Sequence, residues 1–583
     1  MQRAPARFTA ARVCVAALVV LLVLGALLAL GVSFASYSEV KHRLDSFASD
    51  NDANLTRERF RTVVWALRGA AVLLLLCAGA ALLARRRGAA ALSTILASSR
   101  LAATSLRAAA RLPRIDAVAL ALIGAAAIAV RLDFLFQPMR YDEAGTYVHY
   151  ASEPLYIGLS SYTAPNNHLF HTLLVHLVTS VLGSAPWAIR LPALVAGVLL
   201  VPATYLAGRA VYDGRVGLVA AALVAGSSKL IEYSTNARGY TLLALVFMLD
   251  LALAVVLARD DEPAAWAAFA VLGAIGMWTV PTMAYALVVL VLWLVATILL
   301  ERTHLSLLRS RLLPALLATG AITLLLYLPP LVSSGPHALL RNDFVKPRGF
   351  AGTARHLPRS LWETLASWNR DVPVAVAVVL ALGFAVALAA QPQISRFRIP
   401  PAAAGFVVVP LALAQRVVPF DRVWLFLLPL YLLTATAGLV LVVGRRATRG
   451  ATAVVAVLVC ALLCGGAVAS QAVAHSEDTS TFRDAPHVAS FLERTLRPGD
   501  RVLVSPPADL ILEYYLDRAG LDSGRLLYTE FAAKRVFVVV KEGPRDYPLH
   551  VVIEQHLSAS ESRGLRAMLV KRYAHTGIYR LSR

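Results

Sequence analysis

Residues 115 to 136 read IDAVALALIGAAAIAVRLDFLF, and residues 137 to 147 continue as QPMRYDEAGTY. At 1.5 Å per helical residue, the first stretch is long enough to cross a hydrocarbon layer about 30 Å thick. The second turns abruptly to Arg140, Tyr141, Asp142 and Glu143. An apolar span that opens onto a cluster of ionisable groups places chemistry at a membrane surface.

The rest of the chain repeats the first half of that pattern. Of 583 residues, 58% are hydrophobic and 16% charged, with a mean hydropathy of +0.66. A soluble domain carries about a quarter of its residues as charges. This balance excludes a purely soluble enzyme, a disordered tail and a disulfide scaffold. About thirteen helical spans are expected, near residues 12–34, 62–84, 115–136, 188–208, 215–231, 239–258, 264–280, 282–300, 311–330, 372–391, 399–416, 422–442 and 451–470.

The formal net charge is +21, which in a soluble protein suggests nucleic acid. Here the arginines gather in short connections between spans, at Arg85, Arg86 and Arg87, at Arg209 and Arg215, at Arg396 and Arg398, and at Arg445, Arg446 and Arg449. Cytoplasmic loops of membrane proteins carry that excess, so no nucleic-acid partner is implied. Threading the chain on this rule puts the N-terminus inside and the C-terminus outside. Residues 137–186, 232–238, 332–371, 419–422 and everything after about 471 then face away from the cytoplasm. The apolar stretch Asn167 to Leu182 is expected to lie along the outer interface, because counting it as a span would invert the Arg209/Arg215 turn.

Three units follow from this threading. Residues 1–112 form a two-helix extension ending in a cytoplasmic interfacial helix over 88–111, where Arg and Ser alternate with Leu and Ala. Residues 113–470 form a transmembrane core with outer loops 137–186 and 332–371. Residues 471–583 have the composition of a water-soluble domain, with β-branched runs at 501–505 and 535–540 around a periodic helix. The fold class is therefore an all-α polytopic membrane protein with a small C-terminal extracytoplasmic α/β domain. The start, apolar from about Val13 to Val32, exceeds a signal-peptide core and reads as a retained helix. Cys14, Cys77, Cys460 and Cys464 lie inside apolar runs and read as packing residues.

Asp142 and Glu143 admit two readings from the residues alone: a general base held at the membrane surface, or an acidic first turn stabilised by its helix dipole. His149, His168, His171 and His176 stand near them in sequence. They are either interfacial histidines or, with the carboxylates, ligands of a divalent cation, although no recognised metal spacing appears. Asp250, deep in the 239–258 span, marks either a transport pathway or a pair with a neighbouring helix.

The order of several motifs carries a resemblance. Asp142-Glu143 follows the first core span, Asn166-Asn167-His168-Leu169 precedes an apolar helix, and Ile189-Arg190-Leu191-Pro192-Ala193-Leu194 opens the next span. YSTNARGY follows at 233–240, and Arg422-Val423-Trp424 opens a late span. This resembles the GT-C superfold of membrane glycosyltransferases, and within it family 39, which includes protein O-mannosyltransferases and aminoarabinose transferases, over about residues 115 to 445. Family members usually carry His-Pro after the Asn, where this chain has His168-Leu169.

The resemblance implies a polyprenyl-phosphate-linked sugar as donor and an extracytoplasmic glycan, lipid or protein hydroxyl as acceptor, joined with inversion. It implies catalytic roles for Asp142, as general base, and Glu143. Donor phosphate contacts fall to Arg238 and Arg422, and substrate contacts to Arg140, Tyr141, Asn167, His168 and Tyr240. Apart from the resemblance, the outer loop 332–371 interleaves basic residues with aromatics; most of its charges read as a solvated loop on anionic lipid, with Arg341 and Lys346 expected to reach the donor phosphate. No cofactor is implied with certainty, a divalent cation remaining an open possibility. The expected location is the plasma (inner) membrane of a bacterium, with the N-terminus cytoplasmic and the site outside. A polytopic transporter or lipid flippase is the alternative, and a membrane scaffold for the C-terminal domain a third reading.

Overall fold

A computed structural model describes residues 4–45, 56–86, 88–90, 93–94, 112–301, 305–340, 345, 347–443, 447–528, 535–543 and 546–582. Arg341, Lys346 and nearly all of the expected interfacial helix over 88–111 lie outside the described residues.

Leu-, Ala- and Val-rich runs satisfy every backbone hydrogen bond locally when helical, which is the condition for crossing lipid. Among the described residues, eight helices are long and apolar enough to do so, including Arg114–Leu135, Pro186–Val211, Tyr240–Leu257 and Arg449–Ser470. A ninth is obtained if Gly214–Gly226 and Ser228–Ser234, bent by 63° at Ser227, count as one broken span. Pro263–Thr279, Val374–Ala389, Pro401–Gln415 and Leu427–Val443 sit where four further spans are expected but are shorter. The stretch Leu169–Leu182 is a helix of 14 residues. It is capped by Gly183 at φ 78, a left-handed conformation that glycine adopts without strain.

Lipid tails give apolar helices no hydrophobic reason to associate, so close backbone approach must hold the bundle. At two crossings it does. A Cβ added to Gly208 would sit 2.7 Å from the Cα of Gly217, and one on Gly438 would overlap the carbonyl oxygen of Gly383. The first crossing packs Pro186–Val211 on Gly214–Gly226, and the second packs Val374–Ala389 on Leu427–Val443.

At one end of the bundle the chain leaves Arg114–Leu135 and makes the short helix Tyr141–Thr146, a π-turn over Tyr147–Ala151 and the helix Leu155–Ser160. The loop expected over 332–371 contains a 20-residue helix, Gly349–Trp368. The same end carries the C-terminal domain. Strands β1 (Asp500–Val504), β2 (Arg535–Lys541), β3 (Arg566–Tyr573) and β4 (Thr576–Ser582) form one sheet in the order β1-β2-β4-β3. The β1–β2 pair is parallel and the pairs involving β4 are antiparallel. Sequence patterning located β1, β2 and the intervening helix Asp509–Arg518. It missed β3 and β4: β3 is exposed at seven of eight positions, so no alternation betrays it.

Candidate active site

The acidic helix Tyr141–Thr146 is fixed through Glu143. Its Oε1 accepts the Arg140 N–H at 2.9 Å, closing the first helical turn, and its Oε2 accepts the Ala237 N–H at 2.8 Å. Arg190 pairs with the same carboxylate, both side chains being fully buried. The remaining Arg190 donors reach the carbonyls of Leu135, Gln137 and Pro138 at 2.7 to 2.9 Å. Such an ion pair persists in a dry interior only when its hydrogen-bonding capacity is filled, and here it is. Glu143 thus has no free edge for a substrate. It welds the acidic helix to the span Pro186–Val211 and to the turn before Arg238.

Asp142 has the opposite circumstances. Its carbonyl is bound by Thr146 Oγ1 and by Asn166 Nδ2, but its Oδ2 is buried with no hydrogen-bond partner. The nearest cation is Arg422, whose Nη1 lies 3.5 Å from that oxygen. Burial pulls the Arg422 pKa down, yet Tyr240, Asp142 and Tyr233 more than offset it and the net shift is upward. The guanidinium stays charged.

Arg238 stands beside this acid. Its Nη1 donates to Thr146 Oγ1 at 2.7 Å and to the Asn166 carbonyl at 3.0 Å, while its buried Nε has no partner. Its Nη2 lies 3.3 Å from His168 Nε2. Because the Gly239 N–H donates to His168 Nδ1 at 2.8 Å, the ring proton of a neutral His168 must sit on Nε2, so that contact sets donor against donor. Burial first, and then Arg238, hold the His168 pKa well below its ordinary value, so the ring is neutral. Tyr240 packs edge-on to His168 at 5.0 Å and lies under Arg238. The result is a buried cluster with surplus donors next to a carboxylate with a surplus acceptor. Buried polar groups are rarely left so.

The structure gives other work to two expected substrate contacts. Asn167 spends its amide on the carbonyls of Gly158 and Ser161 and accepts from Thr172, so it shapes the loop. Arg140 is buried with its guanidinium turned to the carbonyls of Val473 and Ser476 and to Glu232. It ties the acidic segment to the linker before the C-terminal domain.

That linker also joins a charged cluster outside the expected contacts. Lys229 is bound by Asp421 at 2.8 Å and by Asp478, and Asp478 also accepts from Arg370 at 3.0 Å. Asp421 precedes Arg422, so this cluster positions the cation that faces Asp142. A lysine inside the apolar run before YSTNARGY was the available signal. Among the described residues, no three His, Cys, Asp or Glu side chains converge in a set able to hold a metal ion.

Over the acidic helix lies the C-terminal domain. Tyr515 Oη accepts the Met139 N–H at 3.0 Å, and Tyr514 Oη donates to the Ser184 carbonyl at 2.6 Å. Leu510 packs so closely that a Cβ on Gly145 would lie 2.8 Å from its Cδ1. Asp509, whose Oδ1 is buried without a partner, has its pKa raised by burial. Burial, then Asp509 and Asp142, raise the Tyr141 pKa.

The fold is that of a multi-span, mostly helical membrane protein with a small C-terminal sheet. The comparisons agree with that class. Residues 166–332 match the family model described as dolichyl-phosphate-mannose-protein mannosyltransferase. The structure of ArnT from Cupriavidus metallidurans in the apo state superposes with a TM-score of 0.51 at 15% identity, covering 79% of this chain and 97% of that one. The same figures hold for ArnT bound to undecaprenyl phosphate. The Archaeoglobus fulgidus oligosaccharyltransferase in complex with Zn and sulfate gives a TM-score of 0.46 at 13% identity, covering 68% of this chain and 61% of that one. No curated protein matches the chain.

Proposed function

We propose that the chain is a membrane glycosyltransferase that moves a sugar from a polyprenyl-phosphate donor to an acceptor hydroxyl with inversion. The observation that carries this reading is the juxtaposition of an unsatisfied acceptor on Asp142 with unsatisfied donors on Arg238 and His168, closed by Arg422. Asp142 takes the proton of the acceptor hydroxyl as its oxygen bonds to the anomeric carbon. The bond from that carbon to the phosphate oxygen breaks, and the phosphate leaves with the electron pair. Arg238 and Arg422, fixed beforehand by their neighbours, stabilise the charge that develops there. His168 Nε2–H supplies a neutral donor to the same oxygens, and Glu143 positions Asp142.

ArnT was solved with undecaprenyl phosphate bound, and the matched family is described by a dolichyl-phosphate sugar donor; both favour a lipid phosphate here. The bundle over 113–470 is then the catalytic core, residues 471–583 roof its acceptor side, and residues 1–112 extend it. Loop charges favour a site on the outer side of the plasma membrane, with the N-terminus in the cytoplasm. The acceptor is a glycan, lipid or protein hydroxyl reaching the pocket beneath Asp509–Arg518. Arg341 and Lys346 remain proposed donor-phosphate contacts.

The test is transfer from radiolabelled undecaprenyl-phosphate sugars to an envelope-fraction acceptor in proteoliposomes. Asp142→Asn should lower turnover by roughly 10²- to 10⁴-fold, the range of a lost general base, while undecaprenyl phosphate is still bound. Full activity in that variant, or donor translocation without transfer in the unaltered protein, sinks the proposal.

A further inference from the structure

The break at Ser227 borders a cavity whose lining includes Lys229, the partner of Asp421. Its volume is about 450 Å³, within the range of small-molecule sites. Leu223, Leu380, Leu462 and Leu463 line it from three helices, and Lys229, Trp368, Arg370 and Asp371 stand where those helices end. The lining is thus amphipathic, hydrocarbon along the spans and polar at their termini.

Charge decides what head group fits. Lys229 already holds Asp421 and Asp478, Arg370 holds Asp478, and Glu232 is met by Arg140 and Ser476. Both cations of the lining are therefore already engaged by carboxylates, and Asp371 adds a further acid, so no free cation is left to receive a phosphate. Two atoms lack hydrogen bonds: Trp368 Nε1, a donor, and Asp371 Oδ2, an acceptor, both buried. A hydroxyl group satisfies both, since it accepts and donates. The mouth offers what a polyol head requires, and the apolar walls what its chain requires.

We propose that this cavity is a second lipid site, for an uncharged amphiphile with a hydroxylated head group, held by Trp368 and Asp371. It is separate from the proposed donor-phosphate pocket and does not depend on the transfer reaction. The site binds glycolipid-like molecules and rejects anionic phospholipid.

The experiment is native mass spectrometry of the full chain titrated with diglucosyl diacylglycerol or with dioleoyl phosphatidate. The unaltered protein should retain one glycolipid at concentrations where phosphatidate is lost. Trp368→Phe and Asp371→Ala should each weaken retention roughly five- to tenfold, as for one lost hydrogen bond. Gly466→Phe should abolish it, because Gly466 lines the cavity and a Cβ there meets no atom within 4 Å. Should Gly466→Phe fail to fold, the two polar variants decide. Failure to retain the glycolipid, equal retention of phosphatidate, or retention unchanged in the folded variants overturns the proposal.

Discussion

Asp142 and Glu143 are adjacent carboxylates with different surroundings, and substitutions should separate them. Glu143→Gln leaves Arg190 charged and unpaired in a fully buried setting. Breaking one side of such a pair costs about 3–5 kcal/mol, so melting temperature and yield should fall whether or not substrate is present. Asp142→Asn should melt like the unaltered protein, and loss of fold in that variant would remove Asp142 from a purely chemical role. His168 adds a pH signature. Its folded pKa is depressed by burial and Arg238, so on acidification the unfolded chain takes up a proton near pH 6.5 while the folded one does not. Stability present above pH 6.5 is therefore lost progressively as pH falls below it. Melting curves of His168→Gln should show a shallower acid decline; an identical decline removes His168 as its source. The sequence made the acidic pair visible but not its division of labour, because the groups that fix Glu143 lie 47 and 94 residues further on.

Helix positions followed from composition, since a long apolar run has few ways to satisfy its backbone. Contacts between helices did not: nothing in the runs around Gly383 and Gly438 distinguishes them from other glycines in spans. Gly438→Ala, which drives a methyl into the Gly383 carbonyl, should cost at least about 1–3 kcal/mol, as overpacking does. Thermal unfolding in detergent measures it, and Gly465→Ala, with no atom within 4 Å of its Cβ, is the neutral control. At the roof, Gly145→Ala meets the flexible end of Leu510. The strain should be relieved by Leu510→Ala, with a coupling of about 1 kcal/mol in a double-mutant cycle. Additive effects would mean that Asp509–Arg518 does not bear on the acidic helix. The helix Gly349–Trp368 was hidden in a loop reading because its basic residues interleave with its apolar ones, the spacing an amphipathic surface helix has.

At the scale of the whole molecule, segments more than 330 residues apart in the chain are tied together. Arg140 finds its partners in residues 473–479, and Met139 finds Tyr515. Truncation after Ser470 should therefore leave a bundle that inserts but loses order in the acidic segment, read as new protease cuts between residues 137 and 165. Persistence of the uncut segment would show that the spans alone hold it.

The reach of that tie bears on biogenesis. Arg140 emerges from the ribosome 339 residues before Thr479, the last of its partners. At roughly 5–20 residues per second, this is an interval of about 20 to 70 s. During that time the guanidinium must be sheltered by translocon, chaperone or lipid phosphate, so slowed elongation in the final third should leave a protein that is synthesised in full and matures poorly.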